Sequence, residues 1–322
     1  MEALGGYLRE NGEAWQDAKA LAFQKNGWFV ESFIDKAVEE IIHNYLDRGK
    51  LSAWAAHYHI DDNIKPVTVG IVMAGNIPLV GFHDFLCCFI AGHKQAIKLS
   101  SKDDVLLKHM ITHLATLNPE IYEVVEFRDM LKGCDAYIAT GSNNTSRYFE
   151  QYFGKYPNLI RRNRTSVAVL DGSETEAELD KLVDDIHLYF GLGCRNVTKL
   201  LLPLGYDFIP LINASKRYDW FQDHHKFKNN YDYQLSILLL NGMYYMTGGS
   251  VLYLENDALF SPISQVNYAY YEPATDPYEA ISNNEDVQVA VGHQGLAFGE
   301  AQHPTLFQYA DGVDTMQFLL SL

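Results

Sequence analysis

The residue best suited to covalent chemistry is Cys194, in the run Phe190-Gly191-Leu192-Gly193-Cys194-Arg195-Asn196. Glycines one and three positions before it open the backbone around the sulfur, and Arg195 favours the thiolate, which is the nucleophilic form. A cysteine between a helix and a strand also serves simply as a small packed hydrophobe, and the local pattern leaves both readings open. Asn76 follows an apolar run and precedes Ile77-Pro78. It reads either as a turn residue or as an amide donor projected from a strand end, where α/β sheets place their ligands. Lys98 ends another apolar run and is either solvated or in contact with a phosphate or ribose. Thr140-Gly141-Ser142 stands where a strand feeds a helix, so it is either a capped helix start or a pyrophosphate dock. The sequence contains no GxGxxG, GxxxxGK[ST] or GxSxG motif. The histidine pairs His57/His59, His109/His113 and His224/His225 lack the cysteine or glutamate companions of zinc motifs, so no metal site is expected.

The elements that must position these residues follow from periodicity. Apolar residues at three- and four-residue spacing predict helices over residues 13–60. A strand is predicted over Val67–Met73, then a helix over Leu79–Ala91, a strand over Gln95–Leu99 and a helix over Ser101–Leu117. Ala136–Ala139 reads as a strand running into a helix that ends at Phe153. In the second half, Val167–Leu170 is a strand, Glu174–Phe190 a helix capped by Ser173 and stopped by Gly191, and Asn196–Leu202 a strand closed by Pro203. Strand–turn–helix units at this pace indicate a mainly parallel sheet covered by helices. Two domains are expected: residues 1–164, N-terminal helices with a dinucleotide-binding unit, and residues 165–322, which carry the thiol.

Composition narrows the function classes. The chain has 322 residues, with 41 Asp+Glu against 25 Lys+Arg, a formal charge of −16. Such a field does not attract a phosphate backbone, so nucleic acid is not an expected partner. The apolar stretch from Pro78 to Gly92 is interrupted by His83 and Asp84 and is too short to span a bilayer. The first residues show no signal-peptide pattern. Four cysteines, Cys87, Cys88, Cys134 and Cys194, have no CxxC spacing, which suits a reducing, cytoplasmic setting.

The order of the segments is more specific than any one of them. VGIVMAGNIP (69–78), AGHKQAIKLSS (91–101), ATGSNNTSRYF (139–149), FGLGCRN (190–196) and LFSPISQV (259–266) resemble the aldehyde dehydrogenase superfamily in sequence and spacing. Within it, RRNRTSVAVLDG (161–172), FGLGCRN, the ending FGEAQHPTLFQYADGVDTMQFL (298–319) and the helical KNGWFVESFIDKAVEEI (25–41) are similar to the acyl-CoA reductases, the long-chain fatty-acid reductases of luminous bacteria. The resemblance implies an aldehyde-dehydrogenase-like α/β fold: a Rossmann-type cofactor domain, an α/β catalytic domain and N-terminal helices. It implies Cys194 as nucleophile and Asn76 as oxyanion donor, with Lys98 at the adenosine ribose and Gly141 and Ser142 at the pyrophosphate.

Departures from the family pattern sharpen the expectation. Hydrolytic members carry a glutamate where this chain has Arg161-Arg162-Asn163-Arg164; without that base, hydrolysis of an acyl-enzyme is disfavoured. Ser101 replaces a ribose-binding glutamate common in NAD-preferring members, and Lys102 is adjacent, which favours NADPH, with NADH as the alternative. Ala258 and Leu192 also replace common family residues. The expected activity is NADPH-dependent reduction of a fatty acyl-CoA or other acyl thioester to the aldehyde through a cysteine acyl-enzyme. The alternatives are oxidative aldehyde dehydrogenation, a silent acyl- or partner-binding protein, and a cysteine acyltransferase or thioesterase. Trp220, Phe221, Tyr244 and Tyr245 line an acyl tunnel or simply belong to the core, and His293 is a candidate proton donor. The short span from Trp54 to Val67 leaves no room for an oligomerising hairpin, so a monomer or weak homo-oligomer is expected.

Overall fold

A computed structural model of the chain describes residues 1–60, 65–272 and 274–322. The chain forms two compact units: Met1–Asn163 together with Pro304–Leu322, and Arg164–His303. The sequence predicts a second domain running to residue 322. The structure instead returns the last segment to the first unit, because its bonds are made there. Tyr58 donates to Asp314 Oδ2 (2.7 Å), Trp54 Nε1 donates to the Tyr309 hydroxyl (2.9 Å), and His93 Nε2 meets the Leu319 carbonyl (2.8 Å).

The first unit is built on five parallel strands, β1 (Thr68–Val72), β2 (Lys94–Lys98), β3 (Val125–Phe127), β4 (Ala136–Thr140) and β5 (Asn158–Arg161). They lie in the order β3-β2-β1-β4-β5. Val69, Ile71, Ile97 and Ile138 are fully buried, as expected for a parallel sheet with both faces covered. The helix Phe82–Ile90 packs Phe85, Leu86, Cys87 and Cys88 into this core with no exposure. The N-terminal helices Glu2–Glu10, Glu13–Lys25, Glu31–Glu40 and Arg48–His57 contribute Leu4, Trp15, Ile34 and Trp54 to the same core. Segment 55–66, where an oligomerising hairpin was excluded by length, includes residues 61–64, which lie outside the described residues.

The second unit holds β6 (Thr165–Val169), β7 (Val197–Pro203), β8 (Met246–Thr247), β9 (Leu252–Glu255), β10 (Gln265–Tyr271) and β11 (Val287–Val291), in the order β11-β6-β7-β10-β9-β8. Every pairing among them is parallel except β8 with β9. The helix before the thiol spans Glu176–His187, and its cap is Thr175 rather than Ser173. Thr175 and Glu178 form a reciprocal capping box, whereas Ser173 is bonded through both its N–H and its hydroxyl to Asp171 Oδ1.

A buried ion pair joins three elements of the first unit. Arg161, at the end of β5, donates to Asp84 Oδ2 on the Phe82–Ile90 helix (2.5 Å) and to Thr315 Oγ1 on the last helix (2.8 Å). Both charged side chains are under one-tenth exposed. Removing one partner strands the other charge in the core, so Asp84→Ala is predicted to lower the unfolding free energy by about 3–5 kcal/mol, measured by urea denaturation.

Candidate active site

Parallel pairing sets the geometry of one edge of the first unit's sheet. Val72 stands opposite Lys98 on one side and Ala139 on the other, so β1, β2 and β4 end level. Their following turns, carrying Asn76, Ser101, and Gly141 with Ser142, leave the same edge of the sheet. The chain reverses its order of travel between β1 and β4, which makes this edge a topological switch point, the place where open α/β sheets bind ligands. Asn76, Lys98, Ser101 and Ser142 are exposed there.

Gly141 is required by close packing: a Cβ at that position would meet Phe149 Cε2 at 2.9 Å and Thr145 Cβ at 3.1 Å. Its N–H donates to the Arg161 carbonyl (3.3 Å). Ser142 caps the helix Asn143–Phe153, its hydroxyl accepting from Thr145 N. The helix start, with its positive dipole end, therefore opens at the sheet edge.

The second unit carries the thiol on a built turn. The helix Glu176–His187 is followed by Tyr189, Phe190 and Gly191 at φ 55°, 57° and 72°, a left-handed stretch that costs energy at its two non-glycine positions. Phe190 is held by aromatic packing, with ring centroids 4.5 Å from Phe221, 4.4 Å from His224 and 5.7 Å from Phe227. The chain then folds over Gly193-Cys194-Arg195-Asn196, closed by the Asn196 N–H to the Gly193 carbonyl (3.1 Å). Cys194 is half-buried, and its carbonyl accepts from Ser166 Oγ on β6 (3.1 Å). Arg195 Nη1 donates to the Ala301 carbonyl (3.4 Å).

Asn196 is the organiser of this turn. Its Oδ1 accepts from Gly193 N (2.8 Å), and its Nδ2 donates to the carbonyls of Asp185 (3.0 Å) and Leu188 (2.9 Å). Those carbonyls belong to the helix end, where they have no helical partner. Asp185, fully buried, accepts from Gly299 N and Ala301 N (2.7 and 3.1 Å), and burial pushes its carboxyl up to about 7 against those bonds. The positions of Asn196, Asp185 and Ser166 as braces escape the sequence reading. The available signal was a polar residue beginning an otherwise apolar strand.

Other candidates sit elsewhere. Of the four aromatics considered for an acyl tunnel, Phe221 is fully buried in the Phe190 cluster, Trp220 is 40% exposed and Tyr244 is 74% exposed; Tyr245 is half-buried. His293 lies between two carboxylates, Nδ1 2.9 Å from Asp171 Oδ2 and Nε2 3.1 Å from Glu178 Oε1. Only the doubly protonated ring donates to both. Those bonds raise the imidazole pKa, led by Asp171. Asp171 is lowered to about 2, chiefly by the Ser173 hydroxyl. With both ring nitrogens committed, His293 is a clamp across β11, β6 and the Glu176–His187 helix, and the proton-donor reading does not suit it.

The comparisons with known proteins are structural. No family model matches the chain, and no curated protein matches it in sequence. Betaine aldehyde dehydrogenase from Staphylococcus aureus matches over 90% of this chain and 69% of its own, at 12% identity and a TM-score of 0.64. An aldehyde dehydrogenase from Mycobacterium tuberculosis, solved with NAD+, covers 90% and 70% at 14% identity and a TM-score of 0.60. An oxidoreductase from Marinobacter aquaeolei covers 89% and 71% at 13% identity and a TM-score of 0.61.

Two outcomes are predicted here. Asn196→Ala leaves buried backbone groups unpaired and should lower the unfolding free energy by about 1–3 kcal/mol, while loosening the turn should change the rate of Cys194 alkylation by iodoacetamide. The His293 clamp contributes stability in full below the ordinary histidine value of 6.5 and loses it as pH rises through the raised folded value. Asp171 contributes above 3.8 and loses its contribution as pH falls through about 2. His293→Gln should therefore flatten the neutral-to-alkaline limb of a melting-temperature profile and leave the acid limb in place. At the level these likenesses reach, the chain has the aldehyde dehydrogenase fold.

Proposed function

We propose that this protein is an NADPH-dependent acyl-CoA reductase, converting a fatty acyl thioester to the aldehyde through an acyl-enzyme on Cys194. The observation that carries the reading is the fate of the segment where hydrolytic relatives hold their glutamate. Here Arg161 is buried in an ion pair with Asp84 and Arg162 is bonded to Glu150 (2.6 Å), so segment 161–164 offers no carboxylate to activate water. A thiol on a braced turn without that base suits acyl transfer to and from sulfur better than hydrolysis.

The first unit's edge fits a dinucleotide. The Ser142-capped helix start offers a dipole to a pyrophosphate, Gly141 stands directly before it, and Lys98 stands exposed at the end of β2 for a ribose. Ser101 and Lys102 are both exposed, and a serine with a neighbouring lysine accepts a 2′-phosphate where a glutamate would repel it. The NAD+ held by the Mycobacterium tuberculosis neighbour supports a nicotinamide cofactor in general. When bound, that cofactor supplies a hydride.

The protein's own groups do the rest. The Cys194 thiolate attacks the thioester carbonyl, the new C–S bond forms, and the CoA thiolate leaves and takes a proton. Reduction of the acyl carbon places negative charge on its oxygen. The Asn76 amide and the Cys194 backbone N–H are the proposed donors to that oxyanion, one such donor being worth about 3–4 kcal/mol. Collapse of the thiohemiacetal breaks the C–S bond, releasing the aldehyde and restoring the thiolate. The chain acts in this reading as a monomer or weak homo-oligomer in the cytoplasm. Among the described residues no helix is long and apolar enough to cross a membrane.

The test follows NADPH oxidation with acyl-CoAs of graded chain length, alongside intact-mass detection of the acyl-enzyme. Cys194→Ala should show neither acylation nor turnover. Asn76→Ala should retain the thiol but lose turnover by about 100- to 1,000-fold. Undiminished turnover in Cys194→Ala overturns the mechanism. Aldehyde oxidation with NADP+ that needs no CoA would assign the oxidative reaction instead.

A further inference from the structure

The turn that carries Asn76 is fixed at three points to the segment following β2. Met73 N–H donates to the Lys98 carbonyl (3.0 Å). Gly75 approaches so closely that a Cβ there would lie 2.7 Å from both Cβ and Oγ of Ser100 and 3.2 Å from Asp103 N. Leu79 N–H donates to Asp103 Oδ2 (2.7 Å) in a fully buried bond. Leu79 has φ 57°, a left-handed conformation that a leucine adopts only where its surroundings impose it. The Asp103 carboxylate supplies that constraint.

Asp103 is an unusual residue to find in this place. It is 7% exposed, its own N–H is bonded to the Ser100 carbonyl (3.0 Å), and its second oxygen, Oδ1, is buried without a hydrogen-bond partner. Met73, Leu79, Phe82, Leu99 and Leu107 surround it, lining with it a void of about 10 Å³. The charged neighbour is Asp104, itself bonded to Lys25 Nζ (3.0 Å) and 3.9 Å from Lys108 Nζ. Burial pushes the Asp103 carboxyl up to about 7, opposed by the Leu79 N–H and reinforced by Asp104. Ionising it near neutral pH therefore costs folding stability, and a leucine-lined site gains nothing in packing from a carboxylate.

We infer that Asp103 is a positioning residue: through the Leu79 N–H it holds the turn that presents Asn76, and it ties that turn to the Lys98–Ser101 segment. The inference rests on Asn76 being the oxyanion donor of the proposed reaction. It makes the oxyanion donor and the ribose-side segment one rigid assembly within the first unit, so loss of the bond disturbs the reacting geometry without touching the substrate.

The test compares Asp103→Ala, which removes the acceptor, with Asp103→Asn, which keeps an oxygen for Leu79 N–H. Thermal melts establish that each variant is folded. Peptide-level amide exchange over residues 77–82 reads the turn directly, and kcat and KM for acyl-CoA reduction read its consequence. Asp103→Ala should exchange faster over 77–82 and lose kcat by about 10- to 100-fold with KM unchanged, and Asp103→Asn should restore most of both. Wild-type exchange and kcat in Asp103→Ala, or a loss confined to KM, overturns the inference. If the parent protein reduces no thioester, the functional reading falls. Exchange over 77–82 then decides the Asp103 inference by itself: faster only in Asp103→Ala upholds it as the anchor of the turn, and equal exchange in all three proteins ends it.

Discussion

The Arg161–Asp84 pair is the contact on which the first unit turns. It fastens the edge strand β5 to the helix that follows the Asn76 turn, and through Thr315 it holds the returning C-terminal helix. A guanidinium and a carboxylate are expensive to remove from water, and their attraction offsets that cost only where geometry is good and further donors are used. Here one further donor reaches Thr315, while Arg161 Nε remains buried without a partner. The pair therefore specifies which elements meet more than it adds to stability.

Each unit holds its candidate turn still by its own means. In the first, parallel register brings three strand ends level, and backbone and carboxylate contacts clamp the Asn76 turn. In the second, a single amide, Asn196, satisfies the carbonyls of a helix end and the N–H of Gly193 at once. Left-handed residues occur beside both turns, at Leu79 and at Tyr189–Gly191. Strain of this kind persists only where surroundings over-determine it, and buried polar bonds and the Phe190 aromatic cluster provide that here.

The candidate residues stand next to strong local patterns in the sequence. Asn76, Lys98 and Gly141 each follow a β-branched or apolar run, and Cys194 lies between a periodic helix and an apolar strand. What was not legible was their bracing. Asp103 has no signal in the sequence analysis, yet it is nearly buried. The sequence offers Ser173, with Glu176 three residues on, as a cap, yet in the structure Ser173 is bonded to Asp171 and Thr175 forms the capping box with Glu178. Strands β3 and β5, three and four residues long, are too short to carry a period, and they exist because β2 and β4 offer them edges to pair with.

By itself the sequence determined the alternation of strands and helices, the acidic surface and the order of the chemically capable turns, because hydrophobic period and turn chemistry act over a few residues. Tertiary structure decided which edge those turns share, which side chains hold them, and that residues 304–322 complete the first unit. These depend on partners far apart in the chain, such as Arg161 with Asp84 and Thr315, 77 and 154 residues away. No local pattern records them, because the partners are distant in the chain.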